Sequence, residues 1–111
     1  MRSINRTILS LSSILSLAFS LGCAPQIGDS CVTNLDCGTQ IQCDQSQPDG
    51  YCTVSGCIPG SCPDESICVE FDNGETWCMA MCESNEDCRD DYVCREGIGV
   101  HPFCGIEENT L

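Results

Sequence analysis

The sequence predicts a small disulfide-rich fold: three tandem four-cysteine modules, each a loop or single helical turn plus a short β-hairpin, with little core. Three observations predict it. The chain has 111 residues, and 13 of them are Cys. Twelve of these recur with a period of 25 or 26 residues, which marks a repeated structural unit. The third observation is a shortage of oily side chains. Residues 23–111 hold 15 Leu, Ile, Val and Phe, about 17 % of that stretch, against all 17 acids and only two bases, a net charge of −15. Such a composition normally stays disordered. Covalent staples must then supply the order, and six bridges at roughly 2–4 kcal/mol each outweigh so thin a core.

The first 22 residues stand apart. Arg2, Arg6 and the free amine open the chain, and an apolar stretch with interspersed Ser runs from Ile8 to Leu21, 14 residues. A membrane-spanning helix needs about 20 apolar residues, so this stretch is short for one. A basic start, a short apolar middle and a small residue before a cut form a secretory signal. The ending Ser20-Leu21-Gly22-Cys23 resembles the lipobox of bacterial lipoproteins. That resemblance implies cleavage before Cys23, a diacylglycerol thioether on its sulfur and acylation of its new amine. An ordinary secretory cut, with Cys23 a plain thiol, is the alternative. Parity favours lipidation, because removing Cys23 leaves twelve cysteines that can all pair. Two or three acyl chains, at about 0.8 kcal/mol per buried CH₂, anchor a protein stably to a membrane. Ala24, not Asp, follows the lipidated position, and the resemblance then implies outer-membrane sorting.

The remainder divides into a tether, 23–30, a cysteine-rich domain, 31–104, and an acidic tail, 105–111. Cys31, Cys37, Cys43 and Cys52 form the first module, 31–52. Cys57, Cys62, Cys68 and Cys78 form the second, 57–78. Cys82, Cys88, Cys94 and Cys104 form the third, 82–104. The spacings are C-x5-C-x5-C-x8-C, C-x4-C-x5-C-x9-C and C-x5-C-x5-C-x9-C. In the front half, Thr33 to Asp36 and Ser84 to Asp87 each set a hydroxyl three residues before a carboxylate, which suits the capping of one helical turn. Ser61-Cys62-Pro63-Asp64 offers a weaker version. In the back half, Pro48-Asp49-Gly50, Asp72-Asn73-Gly74 and Gly97-Ile98-Gly99 are turn signals. Asn73-Gly74, between two apolar-rich runs, is the strongest hairpin cue. An aromatic precedes the last Cys each time: Tyr51, Trp77 and Phe103. Each is expected to pack beside the disulfides.

This pattern resembles the small cysteine-rich modules of the EB type and of Dickkopf N-terminal regions. The shared elements are C-x5-C-x5-C, the Ser84-to-Cys88 step and a closing hairpin, and the likeness extends over residues 31–104. It is also similar to short cysteine-rich bacterial lipoproteins. Spacing alone does not determine the bridges, because four cysteines pair in three ways. First-to-third and second-to-fourth pairing within each module is the favoured arrangement. Bridges between modules are the alternative.

The same residues bear on function. A net charge of −13 repels nucleic acid. No C-x2-C knuckle occurs and His101 is the only His, so neither a metal site nor a cofactor is expected. A Ser–His or Cys–His nucleophile would have to use His101 beside Pro102, and a surface His is the simpler reading. The acids Glu83, Glu86, Asp87, Asp90 and Asp91 lack calcium-loop spacing and read as a solvated face. The expected protein is an exported, lipid-anchored, non-enzymatic interaction module of the envelope, binding the membrane through Cys23. Its second partner would be a protein or envelope component. The binding surface is expected on the hairpin turns, around Asp49, Asn73 and Ile98, with Tyr51 and Trp77 as aromatic anchors or as disulfide shields. A small disulfide-rich protease inhibitor and a metal-sequestering protein are the alternatives.

Overall fold

In a two-stranded antiparallel ribbon, directly opposed residues point to the same face. Each module exploits this with its third and fourth cysteines. The computed structural model describes residues 24–107. The signal peptide, the lipidation position Cys23 and the end of the acidic tail lie outside the described residues. Within them Cys43 faces Cys52, Cys68 faces Cys78, and Cys94 faces Cys104 across a hairpin. These opposed cysteines are not bonded to each other. Each reaches back to the front half of its own module, giving Cys31–Cys43, Cys37–Cys52, Cys57–Cys68, Cys62–Cys78, Cys82–Cys94 and Cys88–Cys104. The favoured first-to-third, second-to-fourth pairing is therefore what forms. Each bridge spans 11 to 16 residues, and closing a loop of that size stabilises by about 3 kcal/mol.

The strands are short. β1 (Gln42–Asp44) pairs with β2 (Tyr51–Thr53), β3 (Ser66–Glu70) with β4 (Thr76–Ala80), and β5 (Val93–Arg95) with β6 (Phe103–Gly105), as three separate antiparallel hairpins. The expected Asn73-Gly74 turn is present, with Gly74 at φ +83° closing a loop in which its amide donates to Phe71 O at 2.8 Å. Asn73 does not adopt a left-handed conformation; its Oδ1 accepts the Glu75 amide at 2.9 Å instead. Glycine alone takes the left-handed position, as in three-residue hairpin loops.

The front halves of modules 1 and 3 are alike in detail. A 3₁₀ turn covers Asn34–Cys37 and another covers Asn85–Asp87. Asp36 Oδ2 accepts the amides of Val32 and Thr33 at 2.9 and 3.0 Å. Asp87 Oδ2 accepts those of Glu83 and Ser84 at 2.8 and 3.1 Å. Asn34 Oδ1 takes the Cys43 amide at 2.8 Å, and Asn85 Oδ1 takes the Cys94 amide at 2.9 Å, tying turn to hairpin. Module 2 has no 3₁₀ turn at Ser61–Asp64. Its first spacing is one residue shorter and carries no Asn, so the reach that ties turn to hairpin is missing.

The segments between modules are strands in all but name. Val54 O accepts the Cys78 amide and Thr76 O accepts the Gly56 amide, both at 2.9 Å, which lays the first spacer along β4. Cys82 N donates to Pro102 O at 3.1 Å, and Met81 bridges Phe103, laying the second spacer along β6. Residues before Cys31 repeat the arrangement on β2: Gly28 N donates to Cys52 O, Cys52 N to Asp29 O, and Cys31 N to Asp49 O. The stretch expected as a tether is thus folded from Ile27 onward, and Ile27 is buried.

Strand alternation sends Tyr51 and Cys52 to opposite faces. In module 1 the bridges Cys31, Cys37 and Cys52 form one cluster, while Tyr51 enters another with Ile27, Val69, Met79, Tyr92 and Phe103. Tyr51 departs from the expectation only in leaving its own module's bridges for the packing between modules; Trp77 and Phe103 lie in a cluster that includes Cys57, Cys62, Cys68, Cys78 and Cys88, beside disulfides as expected. The Tyr51 ring lies 5.4 Å from that of Tyr92, and Phe71 meets Phe103 edge to face at 5.8 Å.

Reduction of all six bridges should abolish the near-ultraviolet circular dichroism and expand the hydrodynamic radius toward that of an unfolded chain, since the remaining core is this small. Gly50 sits at φ +72°, where a Cβ would lie 2.1 Å from Cys31 O. Gly50→Ala should cut the yield of correctly oxidised protein severely, read by refolding and reverse-phase separation of disulfide isomers.

Candidate functional site

Three hairpins that turn their non-bridge faces toward one another leave a groove where they meet. Its volume is about 500 Å³, within the range of roughly 300–1,000 Å³ typical of ligand clefts. β2, β4 and β6 supply a floor of Tyr51, Met79 and Phe103, all buried. The half-buried Phe71, Trp77 and Ile98 form its walls. Carboxylates stand at the margin: Asp44 from β1, and Asp72 and Glu75 from the loop between β3 and β4. Trp77 Nε1 donates to Glu75 Oε2 at 3.3 Å, which holds that carboxylate beside the indole. Arg95 also lines the groove, with its guanidinium 5.7 Å from the centre of the Phe103 ring.

The residues expected to bind thus have different fates. Tyr51, Asn73, Trp77 and Ile98 come together in this groove, although they arise from three modules. Asp49 does not join them. It is exposed, at φ +55°, beside a separate open depression lined by Gln45, Gln47, Arg89 and Asp90. That depression is larger, about 1080 Å³, but it has no aromatic or Met in its wall. Of the two roles open to Tyr51, anchor or packing residue, burial to 2 % exposure fits packing, and it forms the floor. Ile98, between β5 and β6, is half-buried and packs against the central cluster. Met79, Phe71, Asp44 and Arg95 were not singled out by the sequence. Phe71 follows β3 and Met79 lies within β4, and which face of that hairpin becomes buried depends on how the modules dock.

The groove keeps its shape through Tyr51. Its hydroxyl donates to Cys104 O at 2.9 Å in module 3 and accepts the Ala80 amide at 2.9 Å in module 2. One phenol therefore joins all three modules. Thr53 adds a second buried tie, donating to Cys78 O at 2.7 Å. From module 3, Arg89 reaches back to module 1: Nε donates to Gly28 O at 2.8 Å and an amino group to Gly50 O at 2.6 Å, with the guanidinium 4.6 Å from the Tyr92 ring centre. Tyr92 in turn donates to Pro48 O at 2.7 Å.

Electrostatics follow from these positions. Burial pushes the Tyr51 phenol up to about 12, outweighing the Ala80 amide and the Arg89 charge that favour ionisation. Burial raises Tyr92 as well. Backbone amides hold Asp36 and Asp87 below the usual carboxylate range. The sulfurs of Cys31, Cys37 and Cys43 lie within 4.8 Å of one another, as do two equivalent trios. Each trio is one whole bridge and one sulfur of the neighbouring bridge, and a bonded sulfur is not the thiolate that a metal requires. His101 is half-buried, with Nδ1 2.8 Å from Pro102 O.

No family model matches the chain, and neither does any curated protein or solved structure. The class of protein is defined by the fold itself: a small disulfide-rich domain of three cysteine modules, suited to an oxidising compartment.

Tyr51→Phe should lower stability at pH 8 by about 1–3 kcal/mol, because it leaves the buried Ala80 amide without its acceptor. The phenol's raised pKa makes its contribution complete below pH 10 and lost as pH climbs toward 12. Urea unfolding of the oxidised protein between pH 8 and 11.5 should show that decline in the parent and a flatter curve in Tyr51→Phe.

Proposed function

We propose that the chain is an exported, lipid-anchored, non-enzymatic interaction module whose working face is the groove between the three hairpins. The observation that carries this reading is the groove's construction. Every module contributes to it, and a buried phenol, a buried threonine and an arginine clamp hold the modules in one arrangement. A preformed site costs little ordering on binding, which favours affinity from a small surface. Twelve cysteines in bridges support an oxidising compartment. Among the described residues no helix is long and apolar enough to cross a membrane. Attachment would instead come from acyl chains on Cys23, and the folded part begins at Ile27, close behind it. The module would then stand near the surface of the outer membrane.

Lipid attachment has a direct test. Cells expressing the chain should incorporate palmitate label into it, Cys23→Ser should abolish that label, and the membrane-extracted protein should gain twelve hydrogens on reduction. Label retained in Cys23→Ser would overturn the anchoring.

A further inference from the structure

We infer that the groove binds a cationic peptide segment in which Lys or Arg flanks an aliphatic side chain. This rests on the reading of the groove as the working face and names its ligand. The floor and walls carry six aromatic or aliphatic side chains: Tyr51, Met79 and Phe103 below, Phe71, Trp77 and Ile98 at the sides. Such a surface gains free energy by covering an aliphatic group, at about 25 cal/mol per Å². The margin has the opposite character. Asp44, Asp72 and Glu75 present carboxylates around an apolar centre, and Glu75 is oriented by the Trp77 indole and by the Asn73 side chain on its amide. A cation at that margin gains both a carboxylate and the face of Trp77 or Phe71.

Long-range charge points the same way. Sixteen acids lie among the described residues, against two bases, Arg89 and Arg95. Arg89 is engaged with the carbonyls of Gly28 and Gly50, away from the groove. Arg95 lines the groove with its guanidinium over the Phe103 ring, so one fixed cation there faces the three carboxylates of Asp44, Asp72 and Glu75. The resulting field speeds the approach of a basic partner and repels an acidic one. A second copy of the chain, itself at −13, is disfavoured on the same ground.

Trp77 is the only tryptophan, so the site carries its own reporter. The oxidised full chain is titrated with the peptide acetyl-Lys-Leu-Lys-Leu-Lys-amide, followed by Trp77 fluorescence and by calorimetry. A saturable change that weakens with added salt is expected. The acidic counterpart, with Glu for Lys, should not bind, and acetyl-Lys-Gly-Lys-Gly-Lys-amide should bind about tenfold more weakly, having no aliphatic side chain to bury. The pair Asp72→Asn with Glu75→Gln should weaken binding by about fivefold. The pair Asp90→Asn with Asp91→Asn changes net charge equally, away from the groove, and should leave affinity within about twofold. Equal losses in the two pairs would overturn the proposal in favour of diffuse charge attraction, as would equal binding of the acidic or glycine peptide. Absence of binding alongside Cys23-dependent palmitate labelling would remove the ligand assignment and leave the anchoring intact.

Discussion

Two bridges stand side by side on one face of every hairpin, and the rest of the molecule depends on that placement. Opposed cysteines in an antiparallel pair share a face, so both must find partners on the same side. The front half of the module supplies them by folding over that side. The ribbon is then stapled along one surface and its other surface is left for aromatic and aliphatic side chains. A three-residue ribbon such as β1–β2 would not persist in water alone. With two closed loops of 12 and 15 residues it does not need to.

Bridges within modules cannot by themselves order one module against the next. That task falls to hydrogen bonds and a small amount of apolar surface. Each spacer lies along the second strand of the following hairpin, so the chain enters every module as a strand partner. Tyr51 then closes the arrangement, since its hydroxyl is satisfied only when modules 2 and 3 are both in place. Leaving that group unpaired in a buried position costs about as much as a typical buried hydrogen bond or more. The arrangement is therefore specific, although its core is thin.

Rigidity and charge together define what the groove offers. Its floor is set by residues that also hold the modules together, so the site and the packing are one structure. Its margin is set by the carboxylates of Asp44 on β1 and of Asp72 and Glu75 on the loop between β3 and β4. The Asp36 and Asp87 carboxylates lie at the turns instead, where each accepts two backbone amides.

Much of this was legible in the sequence. The cysteine period determined three modules, because sulfur spacing records the repeat directly. Turn residues placed the hairpins, and the Thr33–Asp36 and Ser84–Asp87 pairs placed the 3₁₀ turns, because these depend on neighbours a few residues away. The site was legible only in part. Tyr51, Trp77, Asn73 and Ile98 stood out individually, but nothing local said that they converge, or that Asp49 stays apart. Burial of Tyr51, the clamp of Arg89 and the groove itself were decided by tertiary structure. They depend on which strand faces meet across modules, and the hydrogen bonds that fix those faces join residues as far apart as Gly28 and Arg89.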